Sequence, residues 1–322
     1  MKKGMIWTAV LCFIVLSLEI GAPFAWAKYP ERKIRIVCPF EAGGGTDVMA
    51  RALARFANPY LGGKLYVENV TGGGGIIGAR EGLKAEPDGY TLVMLATTNA
   101  VAPHVVKDYP PVDLFDPICI TALDPMILAV SPDSPFKTPN DIIAYARANP
   151  GKLTGGTSGY GGPNHFVLAA FGNAIGGEFS YVPFKGSAPA LLAAAGKHVD
   201  LASAGGAEAL TLAQGNKIKV LISFSAERSP IFPQVPTAKE LGYNVVVSRF
   251  MGISAGKGVA QDVRAVLIHA FKKAMENEEF KKFIVQTGQI PVFVSDQDAR
   301  TWLKGQSDTF KAVADRIGIK PE

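Results

Sequence analysis

Short runs rich in Val and Ile alternate along this chain with longer segments of helical periodicity. Strands are predicted at Ile34–Cys38, Leu65–Val67, Thr91–Ala96, Ile118–Ile120, Met126–Val130, Val182–Phe184, Val199–Ala202, Val220–Phe224, Val245–Ser248 and Gly252–Ala255. Helices are predicted at Thr46–Asn58, Pro139–Asn149, Pro163–Gly172, Ala188–Ala195, Gln261–Asn277, Glu278–Thr287 and Ser295–Ile317. Parallel strands need a long crossover connection, so this alternation predicts βαβ units and an α/β fold with mostly parallel sheets. At 322 residues the chain suits two domains better than one core. Thr138-Pro139-Asn140-Asp141 supports one helix start, with a Thr cap, Pro at the first position and an acid at the third.

The first 27 residues read differently. A basic start, Met1-Lys2-Lys3, precedes an apolar run from Met5 to Leu18 and the small-residue ending Ala25-Trp26-Ala27. That is the pattern of a cleavable export signal, with Lys28 as the expected mature N-terminus. Glu19 interrupts the run before it reaches the ~20 apolar residues of a spanning helix. Of the three cysteines, Cys38 and Cys119 lie in apolar runs of the mature part and are expected as buried thiols.

Two junctions between strand and helix carry Gly with Thr or Ser. One is Pro39-Phe40-Glu41-Ala42-Gly43-Gly44-Gly45-Thr46-Asp47; the other runs from Gly155 through Thr157, Ser158 and Gly159 to His165. The first N–H groups of a helix lack internal partners and carry partial positive charge. Glycine lets an anion approach them closely, and a side chain at Gly44 is expected to block that approach. Two such ends facing one cleft would hold a ligand with acidic groups. Arg249 ends an apolar run, where a buried strand would carry apolar residues, so it needs an anionic partner, either ligand or protein.

Other chemistries find little support. Gly73-Gly74-Gly75-Ile76-Ile77-Gly78 matches the dinucleotide pattern, but the next strand ends in Ala96-Thr97-Thr98-Asn99 without the acid that would hold a ribose. Gly156-Thr157-Ser158-Gly159-Tyr160 departs from the hydrolase elbow at its fifth position. The four histidines are far apart, with no metal-ligand spacing. The net charge of +5 is scattered, which argues against nucleic acid.

Taken in order, these motifs resemble the Bug family of periplasmic solute-binding proteins, the receptors of tripartite tricarboxylate transporters. The resemblance runs through Pro39-Phe40 with Gly43-Gly44 and Thr46-Asp47, and Glu68-Asn69 with Gly72, Gly74-Gly75 and Ile77-Gly78-Ala79. It continues through Pro87-Asp88-Gly89-Tyr90-Thr91-Leu92, Pro150-Gly151-Lys152-Leu153, Val182-Pro183-Phe184-Lys185-Gly186 and Val235-Pro236-Thr237. It implies a two-lobed, type II-like binding-protein fold, each lobe a mostly parallel sheet flanked by helices, with the ligand in the cleft. The lobes would be residues 28–125 plus 252–322, and residues 126–251.

The resemblance also implies an exported, non-catalytic, monomeric receptor. It would bind a small carboxylate, such as a di- or tricarboxylate or an aromatic acid, and deliver it to integral membrane transporter subunits, without a cofactor. Its ligand loops correspond to Phe40 through Asp47, including Gly43, Gly44, Gly45 and Thr46, then to Thr97-Thr98 and to Thr157-Ser158-Gly159. Ser203 and Phe250 stand where members carry larger rings, so both are expected to reshape the pocket. The alternatives are an exported hydrolase or transferase on the same fold, and a ligand-sensing receptor without transport.

Overall fold

The computed structural model describes residues 29–319 and 321. The expected export signal lies outside these residues. The first half begins with β1 (Ile34–Cys38), α1 (Gly45–Ala57), β2 (Leu65–Asn69), α2 (Ile76–Leu83) and β3 (Thr91–Ala96), followed by the short α3 (Thr98–Val101). β1 pairs in parallel with both β2 and β3. On α1, Met49, Leu53, Ala54 and Ala57 are spaced to share one face, and they bury it against Ile34, Ile36, Leu65 and Leu92.

The 16-residue β4 (Phe115–Val130) joins two predicted strands into one. Pro117, Thr121, Asp124 and Pro125 break its apolar pattern, which is why the sequence reads as two pieces. Nearly all of β4 is buried. Along its first part it pairs antiparallel with β9 (Ser248–Gly256), from Phe115 opposite Gly256 to Pro125 opposite Ser248. From Met126 onward its partners are β7 (Leu201–Gly205) and β8 (Lys219–Ser223). The chain thus passes from one sheet to the next at Pro125.

The second half is built from α4 (Pro139–Ala148), β5 (Leu153–Thr157), α5 (Pro163–Ile175), β6 (Phe179–Pro183), α6 (Ser187–Ala195), β7, α7 (Gly206–Gln214) and β8. β5 pairs in parallel with β6 and β7. The chain returns through β9 to α8 (Gln261–Glu276), α9 (Glu278–Gln286), β10 (Ile290–Ser295) and α10 (Asp296–Ile317). α10 touches both halves, packing Phe310 on Phe166 and Trp302 on Phe250.

The expected parallel pairing holds for the outer strands. The central strands are antiparallel, because β4 and β9 carry the chain between the halves in opposite directions. Val245 and Val247 are buried as their pattern predicts, but regular pairing starts only at Ser248. The N–H of Val247 donates to Phe224 O, beyond the end of β8. Cys38 and Cys119 are both buried and free. Among the described residues no helix is long and apolar enough to cross a membrane.

Candidate functional site

A cavity of about 630 Å³ opens where β4 and β9 cross between the halves. Side chains alternate along a strand, so Ala122 and Asp124 of β4 reach it together, as do Arg249 and Met251 of β9. Phe40, Gly43, Gly45, Thr46, Val48 and Met49 form one wall, continued by Ala96, Thr97 and Thr98 at the end of β3. Ser158, Pro163 and Asn164 face them from the second half, with Ala207 and Glu208 of α7. Phe283, Thr287 and Gln289 complete the wall.

Three of the longer helices, α1, α5 and α7, therefore begin at this cavity, as does the short α3. The start of α7 is occupied by the protein's own carboxylates: Ala207 N donates to Asp124 Oδ1 at 3.0 Å and Gly205 N to Glu208 Oε2 at 3.4 Å. α1 and α5 start after Gly44 and Gly162, and neither has a side-chain cap. Their first N–H groups are the donors that the helix itself cannot satisfy.

Arg249 is clamped from two sides. Its Nε and Nη2 donate to Asp124 Oδ2, the former at 2.9 Å, and its Nη1 donates to Glu208 Oε1 at 3.1 Å. Burial works against its charge, but Asp124 and Glu208 hold the guanidinium above its ordinary value. Burial pushes the Asp124 carboxyl up, and Arg249 and the Ala207 N–H oppose that push. A Cβ on Gly205 would land on this ion pair, so only glycine leaves room for it. These three are the only charged residues on the wall among the described residues, and the one cation is already matched.

Of the residues singled out from the sequence, Phe40, Gly43, Gly45, Thr46, Thr97, Thr98, Ser158, Arg249 and Phe250 meet at the cavity. Gly44, Asp47, Thr157, Gly159 and Ser203 are not on its wall. Asp47 is buried, and its Oδ2 accepts from Gly43 N and Arg51 Nε, each at 2.9 Å. Its Oδ1 accepts from Asn69 Nδ2 at 2.8 Å, and that same amide donates to Phe40 O. Burial opposes the Asp47 charge, yet these donors hold its carboxyl below the usual range. Asp47 shapes the loop rather than facing the cavity. Thr157 Oγ1 turns back to Gly159 O at 3.2 Å. Ser203 is fully buried, so its small side chain does not open the pocket; its carbonyl accepts from Asn164 Nδ2 at 2.7 Å. Phe250 turns its ring to Trp302, while its N–H donates to Thr97 Oγ1 at 2.9 Å.

Asn164, Asp124, Glu208, Met251 and Gln289 were not singled out. Asn164 follows Gly162-Pro163 at a helix start, a signal that was readable. Asp124 interrupts an apolar run as Arg249 does, but its role shows only once Arg249 and Ala207 are brought to it. Gln289 has no local signal.

His165 sits in the first turn of α5, behind the Ser158 loop. Its Nδ1 accepts from Gly161 N at 3.1 Å, its ring lies against Tyr160 and Tyr181, and burial pushes its pKa down to about 4. It is committed to the loop and is not a base for Ser158. The folded pKa is below the unfolded one, near 6.5, so the unfolded chain binds more protons between these values. Stability should therefore be full above about pH 6.5 and fall as pH drops toward 4. His165→Phe should flatten that part of the melting-temperature profile; an unchanged profile would assign the acid sensitivity to other groups.

A family model described as the tripartite tricarboxylate transporter family receptor matches residues 49–319. This chain belongs to that family. The receptor is 35% identical over 322 residues to a UPF0065 protein from the gbd 5' region of Cupriavidus necator, covering 99% of this chain and 98% of the relative. Among solved structures it is similar to a TctC solute-binding protein from Polaromonas, with a TM-score of 0.83 and 28% identity over 89% of this chain and 99% of the other. It is also similar to an R. palustris protein solved with adipate, with a TM-score of 0.74 and 27% identity over 91% and 100% of the two chains. The receptor thus has the two-lobed fold of periplasmic binding proteins and is a solute receptor rather than an enzyme.

Proposed function

We propose that this receptor binds a small carboxylate in the cavity between residues 28–125 plus 252–322 and residues 126–251, and presents it to the membrane subunits of a tripartite transporter. The carrying observation is the pair of uncapped helix starts, α1 and α5, on one cavity whose only described cation is already paired. An anion there is met by backbone N–H groups and helix dipoles. Thr46, Thr97, Thr98 and Ser158 add hydroxyls beside them. Support comes from the relative that was solved with adipate. Export through cleavage after Ala27 would place the receptor in the periplasm.

Native mass spectrometry of freshly purified protein tests this reading. One small acid retained per chain is the expected result, and a retained neutral sugar or nucleotide would contradict it. Ser158→Ala should then weaken binding of that acid by about 0.5–1.5 kcal/mol if the hydroxyl bonds a neutral group, and by up to ~3 if it bonds the charged one. Calorimetry reads the difference, and an unchanged affinity would place the acid away from the α5 start.

A further inference from the structure

We propose that Gln289 reads a hydroxyl group on the bound carboxylate, which makes it a specificity-determining residue of this site. The inference rests on the carboxylate reading above. Gln289 lines the cavity and is only 8% exposed. Its Nε2 lies 3.9 Å from Met251 Sδ, a weak acceptor, and its Oε1 has no partner among the described residues. A buried amide so weakly held needs an explanation, and a ligand group completing its bonding supplies one. The backbone beneath it is fixed. Gly288 has φ +76°, and a Cβ there would come within 2.5 Å of Ala207 Cα, so the chain passes hard against the start of α7.

The unmet capacity on this wall is that of a neutral amide: an acceptor without a partner among the described residues and an Nε2 whose one contact is a sulfur. Thr287 also lines the cavity, and its Oγ1 spends its proton on Ile284 O at 2.7 Å, leaving lone pairs to accept. The acidic oxygens of Asp124 and Glu208 already receive Arg249 and the N–H groups at the α7 start. An ammonium group here would lose water without gaining a free carboxylate, which is costly. A hydroxyl matches a neutral acceptor and carries no such cost. The ligand is therefore a hydroxylated carboxylate, with the acid at the helix starts and the hydroxyl on Gln289.

Calorimetry with matched probes tests this: malate against succinate, citrate against tricarballylate, and aspartate as the amino counterpart of malate. In the wild-type protein the hydroxylated member of the preferred pair should bind about tenfold tighter. Gln289→Met should erase that difference, bringing the affinity for the hydroxylated member down to that of its unhydroxylated partner. Gln289→Glu keeps an acceptor in place, so it should lower affinity for both acids but preserve the preference. Equal weakening of both probes by Gln289→Met, with the preference intact, would overturn the proposal, as would aspartate binding tighter than malate. Wild-type binding of acids with no hydroxyl preference would sink this inference alone. Binding of neutral solutes with no acid binding would sink the carboxylate reading and this inference together.

Discussion

Asp124→Ala is expected to cost about 3 kcal/mol of stability, the lower end for breaking a buried ion pair because Arg249 keeps some contact with solvent. Asp124 is 3% exposed and ties together three segments that are distant in sequence. Its Oδ2 holds Arg249 of β9, and its Oδ1 holds the Ala207 N–H at the start of α7. Removing it leaves the guanidinium with Glu208 alone and strips α7 of an N-terminal acceptor. For a chain of this size such a loss should lower the melting temperature by roughly 5–10 °C. Asp124→Asn keeps an acceptor for Ala207 but not the charge, so it should fall between the alanine variant and the wild type. Denaturant unfolding of the three proteins checks the order. A loss below about 1 kcal/mol for Asp124→Ala would mean that the crossing point is held by packing alone.

Gly45→Phe should have the opposite profile, abolishing binding with little change in stability. Gly45 is the first residue of α1 and lies on the cavity wall. A Cβ built there meets only Met251 Cε, at an ordinary 3.9 Å, so the backbone accepts a side chain. A phenyl ring at that position extends over the cavity and covers the free N–H groups of the α1 start. Affinity should fall more than about 100-fold, which is ~2.7 kcal/mol. Gly44→Val, which the sequence suggests as the blocking change, should do less. Gly44 is off the wall, and its added Cβ would meet Glu41 O at 3.2 Å, so its effect reaches the site only by shifting the loop. Calorimetry combined with thermal melts separates the two variants. Full binding by Gly45→Phe would show that the acid does not sit at the α1 start.

Much of the architecture was legible because periodicity and caps are local. Ile34–Cys38 and Thr91–Ala96 match the predicted strands residue for residue, and the helix at Pro139 starts where Thr138 and Asp141 form their capping box. The continuity of β4 was not legible, because its prolines and polar residues are excused only by partners far away in sequence. Asp124 reads as an interruption until Arg249 and Ala207 are brought to it. β5, Leu153–Thr157, was hidden for a different reason: Gly155 and Gly156 lack side chains because Leu168 packs against one face of the strand and Phe184 against the other. The two Gly-rich helix starts were legible as uncapped ends because they depend on local backbone chemistry. Which loop residues face the cavity was not, because Asp47 and Thr157 turn away to bonds that only the folded loops provide. Gln289 carries no local pattern; its position follows from the packing of Gly288 against α7.

The most direct test of the account is a thermal melt of the receptor against small mono-, di- and tricarboxylates, each paired with its neutral amide or alcohol. A ligand that binds only the folded chain stabilises it by about 2.7 kcal/mol at one hundred times its dissociation constant. For a chain of this size that is a rise of roughly 5–10 °C. At least one carboxylate should produce such a rise while its neutral counterpart produces none, because helix starts favour negative charge. Neutral sugars or nucleotides raising the melting temperature while every carboxylate leaves it unchanged would contradict the account.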